Sequence, residues 1–209
     1  MGSETIYNAN RGPMKSHLYR LGCAIGLSLV LADCGMTMSG RMEAKQYVSK
    51  SGDLACSFPR LTPDVIVTDY AGDDGEWVST NLGGVDIERV ERFALGKGAV
   101  ARVTDANALA NAVLPAYMAK SERVKGADII VRKQVQVGAR DGVFTLLAFD
   151  NFTPENHPQR TRDIRGILWL VGEKYGTAIH VFNWQYKDTD AARIETRVLS
   201  LAQRCSLRG

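Results

Sequence analysis

Between Ile129 and Trp184 the apolar residues recur with a period of two, and this stretch limits what the chain can fold into. Ile129, Val131, Val135 and Val137 lead through Gly138-Ala139-Arg140-Asp141-Gly142 into the apolar run 143–149. The Asp-Gly pair supplies the residues a tight reversal needs, so a hairpin turn is expected there. A polar loop over 150–165 carries Pro154 and Pro158, after which 166–172 and 177–184 form a second hairpin around Glu173-Lys174-Tyr175-Gly176. Ile179, Val181 and Asn183 fall on one side of the last strand, and His180, Phe182 and Trp184 fall on the other. Strands apolar on both faces sit centrally in a sheet that is covered on both sides.

The flanking segments supply the covers. Val65-Ile66-Val67 and Trp77-Val78 read as short strands around a turn at 71–75. In 87–95, Ile87, Val90, Glu91 and Ala94 have helical spacing, whereas Glu91, Phe93 and Leu95 alternate; the Gly96-Lys97-Gly98 turn and the following 99–104 favour a hairpin. Asp105 caps a helix whose face is Leu109, Val113, Ala116 and Tyr117, with Pro115 expected to bend it or end its first segment. Asp190, or Asp188 before it, caps a last helix with a stripe of Ile194, Val198, Leu201 and Cys205. The fold class is therefore α+β: an antiparallel sheet built of hairpins with helices packed against it, sandwich-like in the α/β/α sense.

The N-terminal region reads as an address. Lys15 and Arg20 precede the uncharged, mostly apolar run 21–32, which has the length of a signal-peptide core and is short for a membrane span. Leu31-Ala32-Asp33-Cys34 resembles a bacterial lipobox, with Asp33 departing from the usual small residue before the cysteine that receives lipid. An uncleaved anchor and a first buried helix are the alternatives. Met14 is expected as the initiator, with 1–13 lying ahead of the signal. The division is then 1–33 upstream residues and signal, 34–53 a flexible tether, and 54–209 one α+β domain.

The net charge of +3 falls to +2 once residues 1–33, with Arg11, Lys15, Arg20, Glu4 and Asp33, are set aside. With no basic tract and no pattern of stacking aromatics, nucleic acid is not an expected partner. Cys23 falls inside the signal and Cys34 is the expected lipidation site, which leaves Cys56 and Cys205. In an oxidising periplasm these two could bridge almost the whole domain; two buried thiols are the alternative reading.

Phe58-Pro59, a middle helix, two hairpins with Val137-Gly138 and Asp141-Gly142, and a closing amphipathic helix together resemble the PsbP/Mog1/DcrB-like α/β/α fold over roughly 54–207. That resemblance implies a binding or accessory role, includes envelope lipoproteins among its bacterial members, and brings no shared catalytic residues.

Candidate chemistry is sparse. His157, Arg160, Arg162 and Arg165 could hold a carboxylate or phosphate, or form a solvated charged loop. Asp69, Asp73, Asp74 and Glu76 surround a glycine turn without the spacing of an EF-hand. His180 is read as a structural histidine in an apolar strand. No nucleophile elbow, zinc-protease motif or phosphate loop is present in the sequence. The expectation is a non-catalytic module, anchored to the membrane through lipid on the periplasmic side of a bacterial envelope, without cofactor or metal, and bound to a protein or envelope component. The alternative is a small periplasmic hydrolase or ligand-binding enzyme with His157 or His180 as base.

Overall fold

Two antiparallel meanders joined edge to edge make the main sheet. The computed structural model describes residues 39–208 apart from 59–60, 63, 83–84, 120–123, 152–161 and 184–190, all within the unit Met36–Gly209. Strands β1 (Arg41–Glu43), β2 (Gln46–Val48) and β3 (Leu54–Ser57) precede the first meander, β4 (Val65–Gly72), β5 (Gly75–Leu82) and β6 (Val85–Ala94). A 3₁₀ turn at Gly98–Val100 and helix α1 (Ala106–Met118) lead to the second meander, β7 (Val124–Val137), β8 (Arg140–Asn151), β9 (Arg162–Val171) and β10 (Tyr175–Asn183). Helix α2 (Ala191–Gln203) and β11 (Cys205–Leu207) follow.

The seven-stranded sheet has the order β4-β5-β6-β10-β9-β8-β7, so β10 of the second meander pairs antiparallel with β6 of the first. A four-stranded sheet, β1-β2-β3-β11, brings the end of the chain back beside its entry. The antiparallel α+β class is as expected.

Side-chain alternation on the central strands feeds two separate cores. Phe144, Leu146, Leu168, Leu170, Ile179 and Val181 pack with Ile194, Val198 and Leu201 of α2 and with Tyr47, Leu54, Cys56 and Phe58 of the small-sheet region. Val143, Leu147, Ile167, Trp169 and Ala178 pack on the opposite face with Leu109, Ala110, Val113 and Leu114 of α1. Each large apolar side chain buried in this way contributes about 1.5–3 kcal/mol. Both helices come in over glycines. A Cβ on Gly166 would lie 2.4 Å from Ile194 Cγ2, and one on Gly176 would lie 2.7 Å from Leu109 Cδ1.

Several expectations are corrected. The tether over 34–53 is folded across its described part: Met42 and Tyr47 pack on the α2-side core, and Asp69 accepts from the backbone N–H of Ser39 and Gly40 and from the Tyr47 hydroxyl. Strands of only three residues give too short an alternation to be read in the sequence. The turn of the β7–β8 hairpin is Gly138-Ala139, and Asp141-Gly142 already pairs as strand with Gln136 and Val135. The 87–95 segment is strand, but its partners are β5 and β10 instead of 99–104. Helix α1 passes through Pro115 and ends at Met118, within a turn of the hydrogen bond that the proline removes. Asp105 does cap it, accepting from the Ala108 N–H at 2.8 Å. Asp188 and Asp190 lie outside the described residues.

Cys205 stands on β11, beyond the end of α2, where it pairs in register with Cys56. The two are joined as a disulfide between residues 149 apart in sequence, with Cα atoms 4.1 Å apart. A closed loop of that length stabilises by at most about 5 kcal/mol in the chain-entropy picture. Replacing both cysteines by serine should lower Tm by roughly 5–15 °C in calorimetry; an unchanged Tm would contradict a stabilising bridge.

Candidate functional site

The two faces of the large sheet are covered unequally. On one side α2 and the small-sheet residues line a common core, whereas α1 on the other side packs on the β8–β9–β10 half. The cover on that side reaches β6, where Phe93 packs on the α1 core and Tyr117 bonds Glu91; among the described residues neither β4 nor β5 contributes to that core, although Ser79 of β5 is buried.

Residues directly opposed in an antiparallel ladder share a face, so the register names what is left open. One row runs Tyr70, Trp77, Glu91, Ala178, Trp169, and the next runs Thr68, Ser79, Arg89, His180, Ile167. At the α1 end these rows are buried, while at the β4 end Tyr70 is 52% exposed and Ile66 is 65% exposed. Tyr70 stacks on Trp77 with centroids 6.4 Å apart, and the Arg89 guanidinium lies 4.4 Å from the Trp77 ring centre. Planar rings beside a guanidinium give a rigid, amphipathic surface of the kind that anchors partners.

Where the open half meets the covered half, Glu91 gathers polar groups. Its Oε2 accepts from the Tyr117 hydroxyl at 2.6 Å and from Arg89 Nε at 3.2 Å, and lies 3.9 Å from His180 Nε2. Burial first, and then the Glu91 charge and hydrogen bond, hold the Tyr117 hydroxyl far above its usual pKa. His180 is 3% exposed and sits edge-on to the rings of Tyr117 and Trp169. Neither of its ring nitrogens has a hydrogen-bond partner among the described residues. Burial, followed by the charges of Arg165 and Arg89, holds its pKa well below the ordinary histidine value. A general base needs reach to a substrate proton, and rings and strands wall this imidazole in, which weighs against the hydrolase alternative at His180.

The expected anion cluster is only partly visible. His157 and Arg160 lie outside the described residues, and Arg162 is described for its backbone alone. Arg165 belongs to β9 and not to the preceding loop; its guanidinium lies 5.0 Å from the Phe182 ring centre and 5.5 Å from that of Phe149. The signal residues, with Cys34, and Trp184 also lie outside the described residues.

The acidic turn does not converge on a cation. Asp69 is held by Tyr47 and the 39–40 backbone, and Glu76 forms a buried pair with Arg92 at 2.8 Å. Among the described residues no group of three His, Cys, Asp or Glu side chains could hold a metal ion. Two larger hollows open elsewhere: one of about 290 Å³ beside Lys50, Ser51, Glu76 and Tyr175, and a mainly apolar one of about 320 Å³ beside Phe93, Val100, Val113 and Ala116.

Sequence reasoning missed the roles of Arg89, Glu91 and Arg92. The signal for them is that β6 carries charge at four of five successive positions, Glu88, Arg89, Glu91 and Arg92 around Val90, so neither of its faces is purely solvated or purely core.

No family model matches the chain, and no curated protein does. Among solved structures it is similar to the solution structure of cyanobacterial PsbP (CyanoP) from Synechocystis sp. PCC 6803, at 12% identity and a TM-score of 0.44, over 85% of this chain and 98% of that one.

The depressed pKa of His180 has a consequence for stability. The unfolded chain takes up a proton near pH 6.5 and the folded one does not, so stability falls as pH drops below about 6.5, by up to about 1.4 kcal/mol per pH unit, until the depressed folded-state value is reached. Urea unfolding of His180→Phe should show a shallower loss than wild type over that window, and parallel curves would contradict the assignment.

Proposed function

We propose that the chain is a membrane-anchored lipoprotein of the bacterial envelope, facing the periplasm, whose domain is a non-catalytic binding or accessory module for a protein or envelope component. The observation that carries the binding role is the exposed Tyr70 beside Trp77 and Arg89, with the exposed Ile66 on the same face of β4, where among the described residues neither β4 nor β5 joins the α1-side core. Exposed apolar side chains grouped beside an aromatic ring and a cation support a contact surface for another molecule. The anchor rests on the lipobox-like sequence ending in Cys34. Acyl chains contribute about 0.8 kcal/mol per buried CH₂, so a multiply acylated cysteine would keep the domain at a membrane surface. The Cys56–Cys205 bridge suits an oxidising compartment.

Two measurements on protein solubilised from membranes test the reading. The mature chain should begin at a lipid-modified Cys34 by mass spectrometry, and Cys34→Ala should leave the protein in the soluble fraction. Cross-linking should join wild type to one partner and lose that partner in Ile66→Ser/Tyr70→Ser, whose Tm should stay within a few degrees. An unmodified N-terminus would overturn the anchor, and equal cross-linking by both proteins would overturn the face.

A further inference from the structure

We propose that β4 pairs antiparallel with β4 of a second copy of this chain, about a two-fold axis at Thr68, so that two seven-stranded sheets become one. This rests on the reading of β4 as a contact surface and names what sits there.

The large sheet ends in β4 on one side and β7 on the other. An edge strand presents backbone N–H and C=O groups that another strand can bind, and folded proteins guard such edges with bulges, lysine or proline. β7 is guarded: its register with β8 shifts at Val124/Gly126 and again at Ile129/Val131, and Arg132 and Lys133 follow. β4 has none of these devices. It contains no Lys, Arg or Pro, its eight pairs with β5 run without a shift, and no residue of it is fully buried. Among the described residues it pairs with β5 alone.

The hairpin shows which groups face outward. β4 and β5 close around Asp73-Asp74 with Gly72 opposite Gly75, and the closing pair of a two-residue hairpin is hydrogen-bonded. Ile66, Thr68, Tyr70 and Gly72 therefore direct their backbone groups at β5, and Val65, Val67, Asp69 and Ala71 direct theirs away from it. The Val65 N–H is already used, donating to the Thr62 carbonyl at 3.0 Å. Val67, Asp69 and Ala71 present theirs at the edge.

Symmetry within the strand points to a second copy. The exposed apolar side chains stand evenly about Thr68, with Ile66 two residues before it and Tyr70 two residues after, at 65% and 52% exposure. Val67 packs on the α2-side core, so Ile66 and Tyr70 lie on the other side of the sheet. A two-fold axis at Thr68 sets Ile66 of each copy against Tyr70 of the other, and a cross-strand pair of that kind contributes about 0.2–1 kcal/mol. The same register opposes the outward-facing Val67 and Asp69, the arrangement in which two residues exchange both backbone bonds. It also keeps Asp69, the one charged side chain of β4, away from its own copy, whereas an axis at Asp69 would oppose two carboxylates. A contact of this isologous kind closes at two copies.

The tether fits the same arrangement. An axis normal to one continuous sheet turns the α2 sides of both copies the same way. On that side Asp69, one residue from the axis, holds the backbone of Ser39 and Gly40 at 2.9 and 2.6 Å. Both chains therefore run toward their N-terminal residues from one side of the joined sheet, as two copies anchored in a single bilayer require.

The test is oxidative cross-linking of the full chain in its membranes. Thr68→Cys places two thiols at the axis with Cα atoms about 4.5 Å apart, a separation that a disulfide spans; wild type and Gln134→Cys, on the exposed face of β7, are the controls. The proposal expects Thr68→Cys to give at least tenfold more disulfide-linked dimer than either control, and at least tenfold less once Ile66→Lys is added. Should Thr68→Cys not fold, sedimentation equilibrium in density-matched detergent serves, with wild type a dimer and Ile66→Lys a monomer. Equal yields from Thr68→Cys and Gln134→Cys, a yield untouched by Ile66→Lys, or a monomeric wild type would overturn it. A monomeric wild type that still loses another cross-linked protein in Ile66→Ser/Tyr70→Ser would remove the self-pairing and leave the contact surface standing.

Discussion

The pairing of β6 with β10 is the constraint on which the rest depends. It sets Val90 opposite Ile179 and Arg89 opposite His180, turning two meanders into one seven-stranded sheet. Val90 and Ile179 are both fully buried on the α2 side, so the seam is sealed by the larger core. The same seam runs on the opposite side between a half that α1 covers and a half open at β4.

A second set of ties fastens the chain's end to β6. Arg92, 1% exposed, pairs with Glu76 of β5 at 2.8 Å, donates to the Arg208 carbonyl at 2.5 Å and lies 3.8 Å from the Tyr175 ring centre. Breaking a buried pair by removing one partner costs about 3–5 kcal/mol, because the remaining charge stays behind without its counter-ion. Arg204 adds a bond to the Ser57 carbonyl and an ion pair to Glu88. With the disulfide beside them, these contacts fasten the small sheet over the α2-side core.

Much of this was legible where a pattern was local and long. The period of two over 129–184 gave the second meander, the Ile194, Val198, Leu201 stripe gave the buried face of α2, and Asp105 gave a helix start that its side chain does cap. What failed was short or non-local. β1 and β2 offer three residues each, too few for alternation to show. Cys205 continues the α2 spacing numerically, yet its cross-strand partner Cys56 draws it into a strand. The β6–β10 pairing joins residues about ninety apart, and no local signal encodes it. The site followed the same rule: Arg165 was noted for its charge, but its place beside Arg89 and His180 exists only once β6, β10 and β9 are adjacent.

Site-resolved amide hydrogen exchange measures the unequal covering of the sheet directly. β5 and β9 are both interior strands paired on either side, but among the described residues β9 contributes to both cores and β5 to the α2-side core alone. Amides opening locally exchange faster than those released only by global unfolding. The account predicts that β9 amides exchange only with global unfolding and that β5 amides exchange at least tenfold faster in the protein without a partner. Equal protection of the two strands would contradict it.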